Sequence, residues 1–180
     1  MKGVVDAKCD IAGLGLIPRI LFATDGAISH ILEACAGERV DLTRMTSAAV
    51  TDPAERLECG LVGEERGLRR RSLLRGRQTG RVFVHSESVV FLDRLPPAVA
   101  DDLVQTGTSL LKLLTGRRIG TFRESIAEWE GTNPQIAACF DIGPNEIHVA
   151  RTYQIVVQGQ PVARVTESFP KFSFSSAPRS

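Results

Sequence analysis

At 180 residues, with 43% hydrophobic and 24% charged side chains, the chain has the length and composition of a single globular domain and not of a disordered or fibrous protein. Its 22 basic and 21 acidic residues leave a net charge of +1, which gives no global case for nucleic-acid or membrane binding. No apolar run approaches the roughly 18–20 residues of a spanning helix, and the charged start MKGVVDAKCD lacks a secretory apolar core, so a cytoplasmic location is expected.

In chain order, residues 1–16 read as a loose terminus. The GLG at Gly13–Gly15 lacks the third glycine of a dinucleotide fingerprint, and no strand–turn–helix pattern surrounds it. TDGAISHILEACAG predicts a helix, with Asp25 as cap, Ile28, Ile31, Leu32 and Cys35 at helical spacing, and Gly37 as the stop. Arg39 to Val50 alternates loosely and predicts a strand. From Leu68 to Leu92 the pattern is that of two strands joined through RGRQTG, whose Gly76 and Gly80 suit a hairpin connection.

Pro97 to Gly107 predicts a short helix, and SLLKLLTG a further helical turn closed by Gly116. TFRESIAEWEG is also read as a short helix, since Phe122, Ile126 and Trp129 fall near one helical face. After a loop around Gly143–Asn145, strands at about 147–157 and 161–169 bracket QGQ, and 171–180 form a loose tail. The sum is one α+β domain, an antiparallel sheet flanked by helices.

The four cysteines stand singly, without C-x2-C spacing, and the three histidines form no H-x3-H pair. No metal site and no disulfide framework are expected. A glutamate inside the strand RVTESFP is less ordinary, because strands disfavour Glu and buried carboxylates need partners. If Gly159 centres a three-residue loop, Arg151 and Glu167 fall directly opposite one another. A two-residue loop shifts the pairing by one position but keeps both at one end of the hairpin. Such a pair is either an exposed cross-strand ion pair or part of a site.

Seven arginines lie between Arg66 and Arg81. No aromatic is interleaved among them, as a nucleic-acid surface would want. Strand alternation instead separates Arg70, which shares a face with Ser72 and Leu74, from Arg69 and Arg71. Either all seven are solvated surface charges, or one arginine faces inward, where its planar fork suits a carboxylate ligand.

Three stretches in order, LRRRSLLRGRQTGRVFVHSESVVFLDRLP, LVQTGTSLLKLLTGRRIGTFRES and ARTYQIVVQGQPVARVTESFP, resemble the chorismate pyruvate-lyase family, closest to its mycobacterial and actinobacterial branch. IPRILFATDGAISHILEA resembles that branch's amino-terminal helix, so the likeness spans roughly residues 17 to 170. The resemblance implies the chorismate lyase-like fold, which some transcription-regulator sensor domains share. It also implies cofactor-free conversion of chorismate to 4-hydroxybenzoate and pyruvate. It carries over Arg70 and Glu167 as catalytic residues, with Arg70 and the Leu110 amide as substrate contacts; Arg151, set opposite Glu167 by the hairpin spacing, is added to the substrate-binding residues. One departure stands out: Ser109-Leu110-Leu111 occupies the place where the family usually has proline-leucine-glycine. A related lyase acting on a modified chorismate, or a non-enzymatic small-acid sensor, are the alternatives. The sensor reading is disfavoured by the short segment ahead of the domain, which leaves no room for a helix-turn-helix. Nothing in the pattern specifies an oligomeric state.

Overall fold

The computed structural model describes residues 4–25 and 28–171. Strand β1 (Val4–Lys8) is followed by a 3-10 turn, helices α1 (Leu16–Ala23) and α2 (Ile28–Ala36), strand β2 (Val40–Ala49) and helix α3 (Pro53–Cys59). The hairpin β3 (Gly67–Gly76) and β4 (Val82–Phe91) comes next, then α4 (Pro97–Thr106) and α5 (Leu110–Gly116). Strand β5 (Phe122–Thr132), helix α6 (Pro134–Phe140) and the hairpin β6 (His148–Val157) and β7 (Gln160–Pro170) complete the chain. All seven strands join one antiparallel sheet in the order β1-β5-β6-β7-β4-β3-β2.

The helices begin and end on local chemistry. Asp52 accepts from the Glu55 amide to cap α3, with Pro53 at the first helical position. Asn133 caps α6 in the same way, and the Ser109 hydroxyl accepts from the Lys112 amide to start α5. Helices α1 and α2 pack Leu21, Phe22, Ile28 and Leu32 onto one end of a sheet face, against Leu74, Val84, Val149 and Phe169. On the same face, α4 and α5 pack Val99, Leu103, Leu110 and Leu114 onto the other end, against Leu68, Val90, Ile155 and Val165. Cys59 at the end of α3 and Phe140 of α6 lie against the opposite face, near Val89 and Leu73 respectively.

Three expectations are corrected. Residues 122–132 are a strand and not a helix. The apolar spacing of Phe122, Ile126 and Trp129 imitates a helical face because the ladder slips between Ser125 and Ala127, adding Ile126 to the strand. Phe122 and Ile126 in fact point outward, and pairing with β1 and β6 overrides the period. Residues 1–16 are not uniformly loose, since β1 pairs with β5 and α1 starts at Leu16. The amino-terminal helix is two helices, α1 and α2, the second ending at Gly37 with φ +69° as expected. The cap assigned to Asp25 adjoins residues 26–27, outside the described residues, as is the tail 172–180. Helices α3 and α6 were not anticipated.

The terminal hairpin turns through two residues, Gln158 and Gly159, both at positive φ. A register shift between Ile155 and Val156 then restores the pairing, so that Arg151 faces Glu167.

Candidate active site

Four neighbouring strands carry one shared pattern on the face covered by α1, α2, α4 and α5. Along β3 it runs Leu74, Ser72, Arg70, Leu68, and along β4 Val84, Ser86, Ser88, Val90. Along β7 it runs Phe169, Glu167, Val165, and along β6 Val149, Arg151, Tyr153. Directly paired residues share a face, so the register links Ser72 to Ser86, Ser86 to Glu167 and Glu167 to Arg151 in one row. A polar band therefore crosses the sheet between two apolar clusters.

The charged members of this band are buried. Arg70, Arg151 and Glu167 are 5%, 6% and 7% exposed. Arg151 donates from Nε to Glu167 Oε2 at 2.9 Å, and from Nη1 to the carbonyls of Phe22 and Thr24 at 3.3 and 3.0 Å. Those carbonyls close the C-terminal end of α1, where the helix dipole favours a cation. The Tyr153 hydroxyl donates to Glu167 Oε1 at 3.1 Å. Burial, and next the nearby Glu167 carboxylate, push the Tyr153 phenol far up, so it stays a proton donor. Its ring also lies under the guanidinium groups of Arg123 and Arg151.

Arg70 donates from Nη1 to the Thr108 carbonyl at 2.9 Å and from Nη2 to the Gly107 carbonyl at 2.7 Å, which ties β3 to the loop between α4 and α5. Burial, with Arg44 as a second cause, pulls its guanidinium below the usual range. Within the band, Arg70 Nε and Arg151 Nη2 are buried donors without a partner among the described residues; outside it, both ring nitrogens of His148 share that condition. Guanidinium N–H groups left bare in a desolvated band are costly, and an anion accepting them removes that cost.

Each residue anticipated for a site falls in this band or at its edge. Arg70 and Glu167 share the sheet face with only β4 between their strands, roughly 10–12 Å apart at Cα by strand geometry. Leu110 is the first residue of α5, where an amide has no acceptor within its own helix. The Ser109 hydroxyl serves as the helix cap, and Leu111 packs against the apolar cluster under α4 and α5. Tyr153 was missed, although it lies two residues from Arg151 and hence on its face. The four cysteines are free, and among the described residues no group of three or more His, Cys, Asp or Glu is placed to hold a metal. No helix among them is long and apolar enough to cross a membrane.

A family model described as chorismate pyruvate-lyase Rv2949c-like matches residues 22–175. The chain belongs to that family. A chorismate pyruvate-lyase of Mycobacterium tuberculosis H37Rv is 33% identical over 165 residues, which cover 89% of this chain and 82% of that protein. One from Mycobacterium leprae is 34% identical over 166 residues, 89% of this chain and 77% of the relative. Among solved structures, the effector domain of PhnF from Mycobacterium smegmatis aligns over 82% of this chain and 90% of its own, with TM-score 0.63 and 13% identity. The possible transcriptional regulator YydK from Bacillus subtilis aligns over 78% of this chain with TM-score 0.57 and 12% identity; the match spans about three-fifths (61%) of that regulator. At such identities these regulators speak for the fold alone, and lyase membership rests on the sequence matches.

A cavity of about 480 Å³ opens on the opposite face of the sheet, bordered by His85, Trp129, Arg69, Glu87, Arg164 and Glu55 among others. It contains none of Arg70, Arg151 or Glu167. Arg69 there is already paired with Glu55 and Glu87, so it differs from Arg70, which meets only carbonyls.

Proposed function

We propose that the protein is a chorismate pyruvate-lyase that converts chorismate to 4-hydroxybenzoate and pyruvate without metal or organic cofactor. The observation that carries this reading is the buried polar band, in which two arginines keep unpartnered N–H groups beside one glutamate. Family membership makes chorismate the first substrate to consider.

The chemistry is an elimination. The hydrogen leaves the ring carbon that bears the hydroxyl, and its electron pair forms the new ring double bond. The ether bond at the neighbouring carbon breaks, and the enolpyruvate leaves with the electron pair of that C–O bond. The proton lost by the ring is balanced by the one its methylene carbon takes up to become pyruvate, so no net proton is gained or released. Aromatisation drives the reaction, so the protein contributes chiefly orientation and fixed charge. Arg70 binds a carboxylate, assisted by the Leu110 amide once the 107–108 carbonyls are displaced. Arg151 keeps Glu167 in place. Both Glu167 oxygens already accept one hydrogen bond, and each retains a lone pair for the ring hydroxyl. On this reading Glu167 orients that hydroxyl.

The test incubates purified protein with chorismate in the presence of EDTA and follows pyruvate and 4-hydroxybenzoate. Equimolar products, absent with Arg70→Ala, support the reading; a wild type that forms neither product overturns it. Glu167→Gln, which keeps an acceptor but cannot take a proton, is expected to hold turnover within about tenfold. A general base contributes roughly 10²–10⁴-fold, so a loss on that scale assigns Glu167 the base role instead.

A further inference from the structure

The polar row does not end at Ser72. On the edge strand β2, the register pairs Arg44 with Ser72, so Arg44 extends the row that runs through Ser86 and Glu167 to Arg151. Its side chain is exposed, and among the described residues it has no hydrogen bond and no ion pair. Many other arginines of the chain are compensated, including Arg66 by Asp93, Arg71 by Glu87, Arg77 by Asp41 and Arg94 by Glu65.

Where Arg44 rests is specific. Its guanidinium lies against Gly107, in the space that a Cβ at that residue would occupy. Gly107 is also the residue whose carbonyl accepts from Arg70 Nη2. Two guanidinium groups therefore flank one glycine, one buried and one open to solvent, with no carboxylate between them. Like charges so placed repel, and the positive charge of Arg44 is one reason the Arg70 guanidinium is pulled down, after burial. A ligand bringing two carboxylates relieves both conditions, one carboxylate on Arg70 and the other on Arg44.

We infer that Arg44 is a specificity-determining residue, binding the second carboxylate of a dicarboxylate substrate while Arg70 binds the first. The inference rests on the chorismate reading, since chorismate carries a ring carboxylate and an enolpyruvyl carboxylate and 4-hydroxybenzoate carries only one. Gly107 is then required twice, for its positive φ of +68° and for the room that it leaves to Arg44. The open position of Arg44 also suits capture of an anion arriving from solvent.

The experiment compares wild type, Arg44→Gln and Arg44→Lys in KM and kcat for chorismate and in the inhibition constant of 4-hydroxybenzoate. R44Q is expected to raise KM for chorismate about tenfold or more, with kcat within threefold and the 4-hydroxybenzoate constant within twofold. R44K is expected to recover part of the KM loss, and unchanged urea midpoints show that the fold is intact. An R44Q enzyme with unchanged KM, or one weakened equally toward both compounds, overturns this inference alone. A wild type that neither converts nor binds chorismate overturns the chorismate reading and this inference with it.

Discussion

Replacing Glu167 by alanine removes the acceptor of two buried donors, Arg151 Nε and the Tyr153 hydroxyl. Arg151 would keep only the Phe22 and Thr24 carbonyls, with its charge uncompensated at 6% exposure and Nη2 already bare. Removing one partner of a buried ion pair costs about 3–5 kcal/mol. The stranded tyrosine hydroxyl belongs to the same network, so its own loss of about 1–3 kcal/mol is not simply added. For a chain of this size each kcal/mol lowers Tm by about 2–4 °C, so a drop of roughly 6–20 °C follows. Urea unfolding followed by Trp129 fluorescence and far-UV circular dichroism measures the change. The double variant Glu167→Ala with Arg151→Met removes both charges and is expected to be more stable than the sum of its single variants by about 2 kcal/mol or more. A Glu167→Ala protein within about 1 kcal/mol of wild type, or strict additivity in the cycle, refutes the buried network.

Arg70→Lys keeps the charge but loses the planar fork that spans Gly107 and Thr108. It is expected to lower kcat/KM for chorismate by about 30-fold or more, on a cost of about 2–5 kcal/mol for a buried charged contact; near-wild-type kinetics contradict the assignment. Gly107→Ala places a side chain at φ +68° and against Arg44, so a stability loss of about 1–2 kcal/mol in urea is expected together with a raised KM. Stability should also fall on acidification below neutrality. Burial pulls His148 down to about 4, with His85 as a lesser cause, and burial also lowers His85. The unfolded chain takes up these protons below about 6.5, whereas folded His148 takes up its proton only near 4 and folded His85 is likewise held below its ordinary value. Stability is therefore complete above about pH 6.5 and declines toward pH 4, by up to about 1.4 kcal/mol per pH unit for His148, with His85 acting in the same direction. Carboxylates such as Glu65, held at about 2 mainly by its hydrogen bond from Arg94, act only below about pH 4.5. Urea midpoints at pH 7 and 5.5 check the sign, and His148→Phe is expected to flatten the slope; a midpoint that rises toward pH 5.5 contradicts it.

The terminal hairpin was legible because strand pairing is local there. Two positions eight residues from Gly159 face each other, although by a two-residue turn and a compensating slip, not by a three-residue loop. Alternation alone sets Arg70 on the face opposite Arg69 and Arg71, since β3 is regular between Leu68 and Leu74, but it leaves an all-surface reading of these arginines open, and it is the family resemblance that singles Arg70 out. Strand β5 was not legible, because its bulge at Ile126 breaks the period of two and mimics a helical repeat. The long-range partners were also hidden. Nothing local relates Arg151 to carbonyls 127 and 129 residues earlier, or Arg70 to a loop 37 residues later. Tyr153 is a different case, since period-two counting from Arg151 reaches it directly.

On the proposed function, the reaction occurs in the band between the two apolar clusters and not in the cavity beside His85 and Trp129. The direct test is a crystal structure of the protein with 4-hydroxybenzoate bound. The carboxylate is expected on Arg70, the ring over Ser86 and Ser88, and the phenolic oxygen toward Glu167. A ligand seated on the opposite face, between His85 and Arg164, contradicts it.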